Sequence, residues 1–98
     1  MNFAEREKAF EDKFAHDEEL HFKVRAKRNK MAGLWAAEKL GKSPEDYSNQ
    51  LVSALLNREQ LFQRLQADFA SNNVQISDAE LRGKIIEYIN ASRKAIMG

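Results

Sequence analysis

From Pro44 to Ser71 the apolar positions Tyr47, Leu51, Leu55, Phe62, Leu65 and Phe69 recur at steps near three and four, the spacing that lines one face of a helix. Asn57 and Arg58 are the one interruption, so the stretch reads as two helices or one bent one. After Ser77, a further helical stripe runs through Leu81, Ile85, Tyr88, Ile89 and Ile96. Gly83 falls inside it, at a cost of about 1 kcal/mol relative to alanine. The first forty residues read as helix throughout, but their apolar positions change face. Phe3, Phe10 and Phe14 share one narrow stripe that continues to Asp17, His21 and Arg28, whereas Leu20, Val24, Met31 and Trp35 follow a rotated one. One core does not easily take both faces. The pattern therefore predicts residues 20–40 packed into a helical bundle and residues 1–19 as a separable N-terminal helical arm, marginal as an isolated helix. No alternating strand pattern competes, and the fold class is all-α.

The junctions are marked by a few residues. Gly41 suits the left-handed position that closes a helix ending at Leu40. Ser43 then reads as an N-cap, Pro44 as the first helical residue, and Glu45 and Asp46 as first-turn acids. Ser77 and Glu80 have the spacing of a capping box, with Ile76 and Leu81 as its hydrophobic staple. Asn72 and Asn73 end the preceding helix, which makes residues 72–76 a turn.

Length and composition narrow the function. Ninety-eight residues make one small domain. Lys and Arg number 16 against 15 for Asp and Glu, so any electrostatic argument is local. The chain has no cysteine, which removes disulfides, thiol nucleophiles and the common structural zinc sites. The longest strictly apolar run is Leu34 to Ala37, far short of the ~20 residues that span a bilayer. There is no signal-peptide core either, and the chain reads as soluble and cytoplasmic, without membrane insertion.

Charge is unevenly placed along the first helix. Residues 5–19 carry seven acids against three bases, and residues 23–30 carry Lys23, Arg25, Lys27, Arg28 and Lys30 with no acid. The basic stretch reads first as the solvated face of a helix whose Val24 and Met31 point inward, with contact to nucleic acid as the alternative. His16 and His21 stand among acids and are the candidate pH-sensitive residues. Five residues apart, they lie ~140° apart around a helix and do not converge on a metal. No nucleophile–base arrangement or glycine-rich phosphate cradle is recognisable, so no catalytic residue is assigned. Trp35 and Tyr47 read as core-lining. The Phe stripe of the arm, among Glu5, Arg6, Glu7, Lys8, Glu11, Asp12 and Lys13, has the form of a helix that fills a partner's groove with anchors at helical spacing.

REKAFE at 6–11, KFAHDEEL at 13–20 and GLWAAEKLG at 33–41 resemble the zeta subunit of alphaproteobacterial F-type ATP synthases, and the similarity continues more loosely through SDAEL at 77–81. The resemblance implies a four-helix bundle, residues 20–98, whose N-terminal segment inserts into the catalytic head and blocks ATP hydrolysis. Carried over by position, the inhibitory segment is Met1 to Glu19. Phe3, Arg6, Glu7, Phe10, Lys13 and Phe14 are then its partner-binding residues. The partner implied is the head, its catalytic and non-catalytic subunits and the adjoining rotor, with room for weak adenine nucleotide binding and no cofactor or nucleic acid. The sequence departs from the family in three places: His21 stands where arginine is usual, Gly83 replaces a long polar residue, and the junction near Asn57 lacks a glycine. A nucleic-acid-binding or homo-oligomeric helical interaction module is the competing reading.

Overall fold

The computed structural model describes the backbone of residues 3–98 and the side chains of residues 18–98. Four helices follow in order, α1 (Phe3–Leu40), α2 (Pro44–Ser53), α3 (Arg58–Ser71) and α4 (Asp78–Met97), and no strand occurs among the described residues. The protein is an all-α four-helix bundle in which α1 packs chiefly on α2 and α4. Tyr47, Leu51, Leu61, Leu65, Phe69 and Leu81 form the middle of the core, closed from the α1 side by Ala32, Ala36 and Ala37.

The α1–α2 junction follows the sequence expectation. Gly41 sits at φ 69°, and the Lys42 N–H reaches back to the Ala37 carbonyl at 3.0 Å, the closure of a Schellman motif. Ser43 caps α2 by accepting from the Asp46 N–H. After α3 the same closure recurs with Asn73 at φ 57° and the Val74 N–H on the Phe69 carbonyl at 2.9 Å. At α4 the Glu80 N–H donates to Ser77 Oγ at 3.1 Å. The full capping box lies instead at α3, where Gln60 N–H donates to Asn57 Oδ1 and Asn57 N–H donates to Gln60 Oε1.

The α2–α3 turn, which lacks glycine, is held by a different device. Leu55 takes φ 52°, a conformation that costs a side-chain-bearing residue about 1–2 kcal/mol. It is 57% exposed and so leaves the apolar stripe to which its spacing assigned it. The Leu55 N–H reaches the Val52 carbonyl at 3.1 Å, but in place of the closing Schellman bond to Leu51 the side chain of Asn29 reaches across from α1. Its Nδ2 donates to the Leu56 carbonyl at 3.0 Å and, at a longer 3.4 Å, to the Leu51 carbonyl. A turn without glycine is thus capped from the neighbouring helix.

Candidate functional site

The candidate site has two parts, the N-terminal segment and the bundle face from which it departs. The side chains of Phe3, Arg6, Glu7, Phe10, Lys13, Phe14 and His16 lie outside the described residues. What is described is the approach to them. Among the described residues Val24 is the first buried one of α1, and from residue 18 to residue 23 only Leu20 is even half-buried. Phe22 is 54% exposed, and His21 is exposed as well.

Beyond Val24 the helix locks onto the bundle through a polar contact that the charge pattern did not suggest. Arg28, read as part of a solvated basic face, is 6% exposed, and Asn29 is 1% exposed. Arg28 Nε and Nη2 both donate to Asn29 Oδ1, at 3.1 and 3.0 Å, and Nη2 also donates to the Leu56 carbonyl at 2.9 Å. Burial, with Arg25 and Arg58 nearby, lowers the Arg28 pKa to about 10, so the guanidinium stays charged at neutral pH. The rest of the basic run divides as expected: Lys23, Arg25 and Lys27 are exposed, and Lys30 donates to Asn49 Oδ1 at 2.9 Å. The only sequence signal for the buried pair was that Arg28 and Asn29 lie between Val24 and Ala32 on the inward face. Replacing Asn29 by alanine removes the acceptor of a buried guanidinium and one donor to the turn. Such a loss costs about 2–3 kcal/mol, expected as a fall of roughly 10–20 °C in the unfolding midpoint followed by circular dichroism.

Two further clusters fix the helices that support this face. Trp35 packs edge-on against Phe69, with ring centroids 5.6 Å apart, and tilted against Tyr88 at 6.3 Å. Tyr47 donates its hydroxyl to Asp68 Oδ2, which also accepts from Arg64 Nε at 2.8 Å. Burial raises the Tyr47 pKa well above the ordinary phenol value, and the hydrogen bond to Asp68 adds to it. With the folded pKa above the unfolded one, this contribution to stability is complete below about pH 10. It is lost as pH rises beyond that point, because the unfolded chain ionises first. Urea unfolding followed by Trp35 fluorescence is therefore expected to weaken more between about pH 9 and about pH 11 in the native chain than in Tyr47→Phe. Arg28, present in both, cancels from the difference.

The described residues thus define a small helical bundle whose first helix runs on from its core to an exposed stretch, the architecture of a regulator that works by contact. The chain belongs to the ATPase inhibitor subunit zeta family, whose model matches residues 1–95. Searches of curated proteins and of solved structures found no match. Membership makes the protein an inhibitory regulator that interacts with an ATP synthase. Among the described residues, no helix is long and apolar enough to cross a membrane.

Proposed function

We propose that the protein inhibits ATP hydrolysis by an F-type ATP synthase through insertion of residues 1–19 into the catalytic head, with residues 20–98 as the domain that anchors and orients them. The observation that carries this reading is that the family match begins at residue 1 and so includes the segment bearing Phe3, Phe10 and Phe14. The structure supports it indirectly, since among the described residues buried positions in α1 begin at Val24. The core that folds the bundle therefore makes no use of residues 18 or 19. In this reading the Phe stripe seats between catalytic and non-catalytic subunits. Arg6, Glu7 and Lys13 set its direction, and their charges make the encounter depend on salt. His16 and His21 then flank the end of the inserted segment.

The test is ATP hydrolysis by a purified head freed of its own inhibitor, titrated with the full chain and with a chain lacking residues 1–19. Inhibition by the full chain alone is the expected result, provided circular dichroism shows the shortened chain still helical. Equal inhibition by both would place the effector on the bundle and end the insertion reading.

A further inference from the structure

A cleft of about 330 Å³ opens between α1, α4 and the start of α3, and its lining includes Arg25, Arg28, Arg58 and Arg93 together with His21. Among the described residues no carboxylate lines it. We propose that this cleft is a second binding site for the ATPase, taking a carboxylate-rich amphipathic segment of the partner through Arg25, Arg58 and Arg93. The proposal rests on the reading above, in which the partner grips residues 1–19.

The first argument is the missing counter-ion. Several cations elsewhere on the bundle are paired with an acid at helical spacing, Lys23 with Glu19, Arg64 with Asp68, and Lys84 with Glu87, though Lys27, Lys39 and Lys94 are not. Arg25, Arg58 and Arg93 have none three or four residues away in either direction. Glu59, beside Arg58, is taken up by both terminal nitrogens of Arg82. Like charges gathered without an internal partner repel, and their repulsion contributes to lowering the Arg28 pKa. Burial of Arg28 serves the α2–α3 turn, whereas Arg25, Arg58 and Arg93 make no salt bridge among the described residues, the nearest acid to Arg58 being the Glu59 already held by Arg82.

The second argument is the chemistry of the lining. Guanidinium groups match carboxylates in a two-pronged fork. Val24, Ile86 and Ile89 supply apolar wall between them, and Ile86 is 42% exposed. Cationic forks interleaved with aliphatic surface suit an acidic amphipathic segment. A nucleic acid would lack a stacking platform, because His21 is the one ring in the lining among the described residues. A small free anion would find free backbone N–H groups only at the start of α3 beside Arg58, because the other lining residues lie within helices whose N–H groups are already bonded. The third argument is position. The cleft starts at His21, two residues past Glu19 on the same helix, and at a rise of ~1.5 Å per residue it faces the rim of whatever receives the arm.

The test compares inhibition of head ATP hydrolysis by the full-length chain, by the Arg25→Glu/Arg93→Glu variant and by Arg25→Lys/Arg93→Lys. The reversed variant is expected to raise the half-inhibitory concentration about tenfold or more, while the lysine variant, which keeps the charge, recovers most of it. Removing repulsion should leave the reversed variant's unfolding midpoint unchanged or higher, whereas a merely structural role would lower it. Lys94→Glu, on the same helix but outside the cleft, controls for net charge and should have little effect. Unchanged inhibition by the reversed variant, or an equal loss in Lys94→Glu, overturns the proposal while leaving the arm's role intact. Absence of inhibition by the native chain overturns both. Tight, arginine-dependent binding of inorganic phosphate or of a short single-stranded RNA, with inhibition unaffected by the reversal, assigns the cleft to a different ligand.

Discussion

Alanine in place of Gly33 is expected to lower the stability of the bundle by about 2–3 kcal/mol. A Cβ at this position would stand 2.6 Å from Ser48 Cα, 2.8 Å from Ser48 Cβ and 3.2 Å from Leu51 Cδ1. The nearest of these is backbone, so no rotamer change relieves the overlap and α2 must move away from α1. Both sides of this crossing are small and buried: Ala32, Ala36 and Ala37 on α1, and Ser48 on α2, are fully buried. Separating the helices opens gaps along the whole seam, and the gain of about 1 kcal/mol in helix propensity offsets only part of the loss. The same substitution at Gly83 meets nothing within 4 Å and is expected to stabilise the chain by about 0.5–1 kcal/mol. Thermal unfolding of the two variants side by side checks the account. A Gly33→Ala chain as stable as the native one would mean that the helix crossing is not the tight contact described.

Phe10→Ala combined with Phe14→Ala is expected to abolish most inhibition while leaving the bundle folded. If each ring is buried in the partner at ~1.5–3 kcal/mol, losing two removes about 3–6 kcal/mol of gross binding. Ordering costs already fall on the native complex, so the half-inhibitory concentration should rise roughly a hundredfold or more. Alanine is the best helix former, so the loss cannot be traced to a weakened helix. The unfolding midpoint should stay within a few degrees of native, because every buried side chain among the described residues lies at or beyond Val24. Full inhibition by this variant would remove the Phe stripe as the anchor.

The two variants act at opposite ends of α1 and separate its tasks. Gly33 sets how closely the bundle packs, and the arm's phenylalanines set how tightly the partner is held. A protein unfolded by the first change also loses inhibition. For that reason the second must be measured on chains whose helicity is unchanged.

Much of this architecture is legible locally. Helix ends are chosen by residues that satisfy backbone groups within a turn, so Gly41, Ser43, Pro44, Asn73 and Ser77 could be read one junction at a time. The 3.6-residue stripes of α3 and α4 gave the inward positions Phe62, Leu65, Phe69, Leu81 and Ile85 for the same reason. The Asn57–Gln60 capping box was equally local, and it passed unread because Asn57 was taken only as an interruption. The arm's anchors were legible as a periodic stripe and as a family motif, both properties of the chain rather than of its packing.

What tertiary structure alone decided were the contacts between helices. Charge spacing put Arg28 in solvent, yet it turns inward with Asn29, where both donate to the Leu56 carbonyl and Asn29 also reaches that of Leu51, so the guanidinium is hydrogen-bonded where it is buried. Gly33 carried no packing signal in the sequence, since only the approach of Ser48 reveals that a side chain has no room there. The arginine cleft assembles residues from three helices, Arg25 and Arg28, Arg58, and Arg93, that no periodicity links. Sequence by itself determined the all-α class, most of the helix ends and the family. The depth of each side chain, and the cation cluster beside the arm, arose only when separate helices were brought to one surface, because burial and charge density depend on neighbours that are distant along the chain.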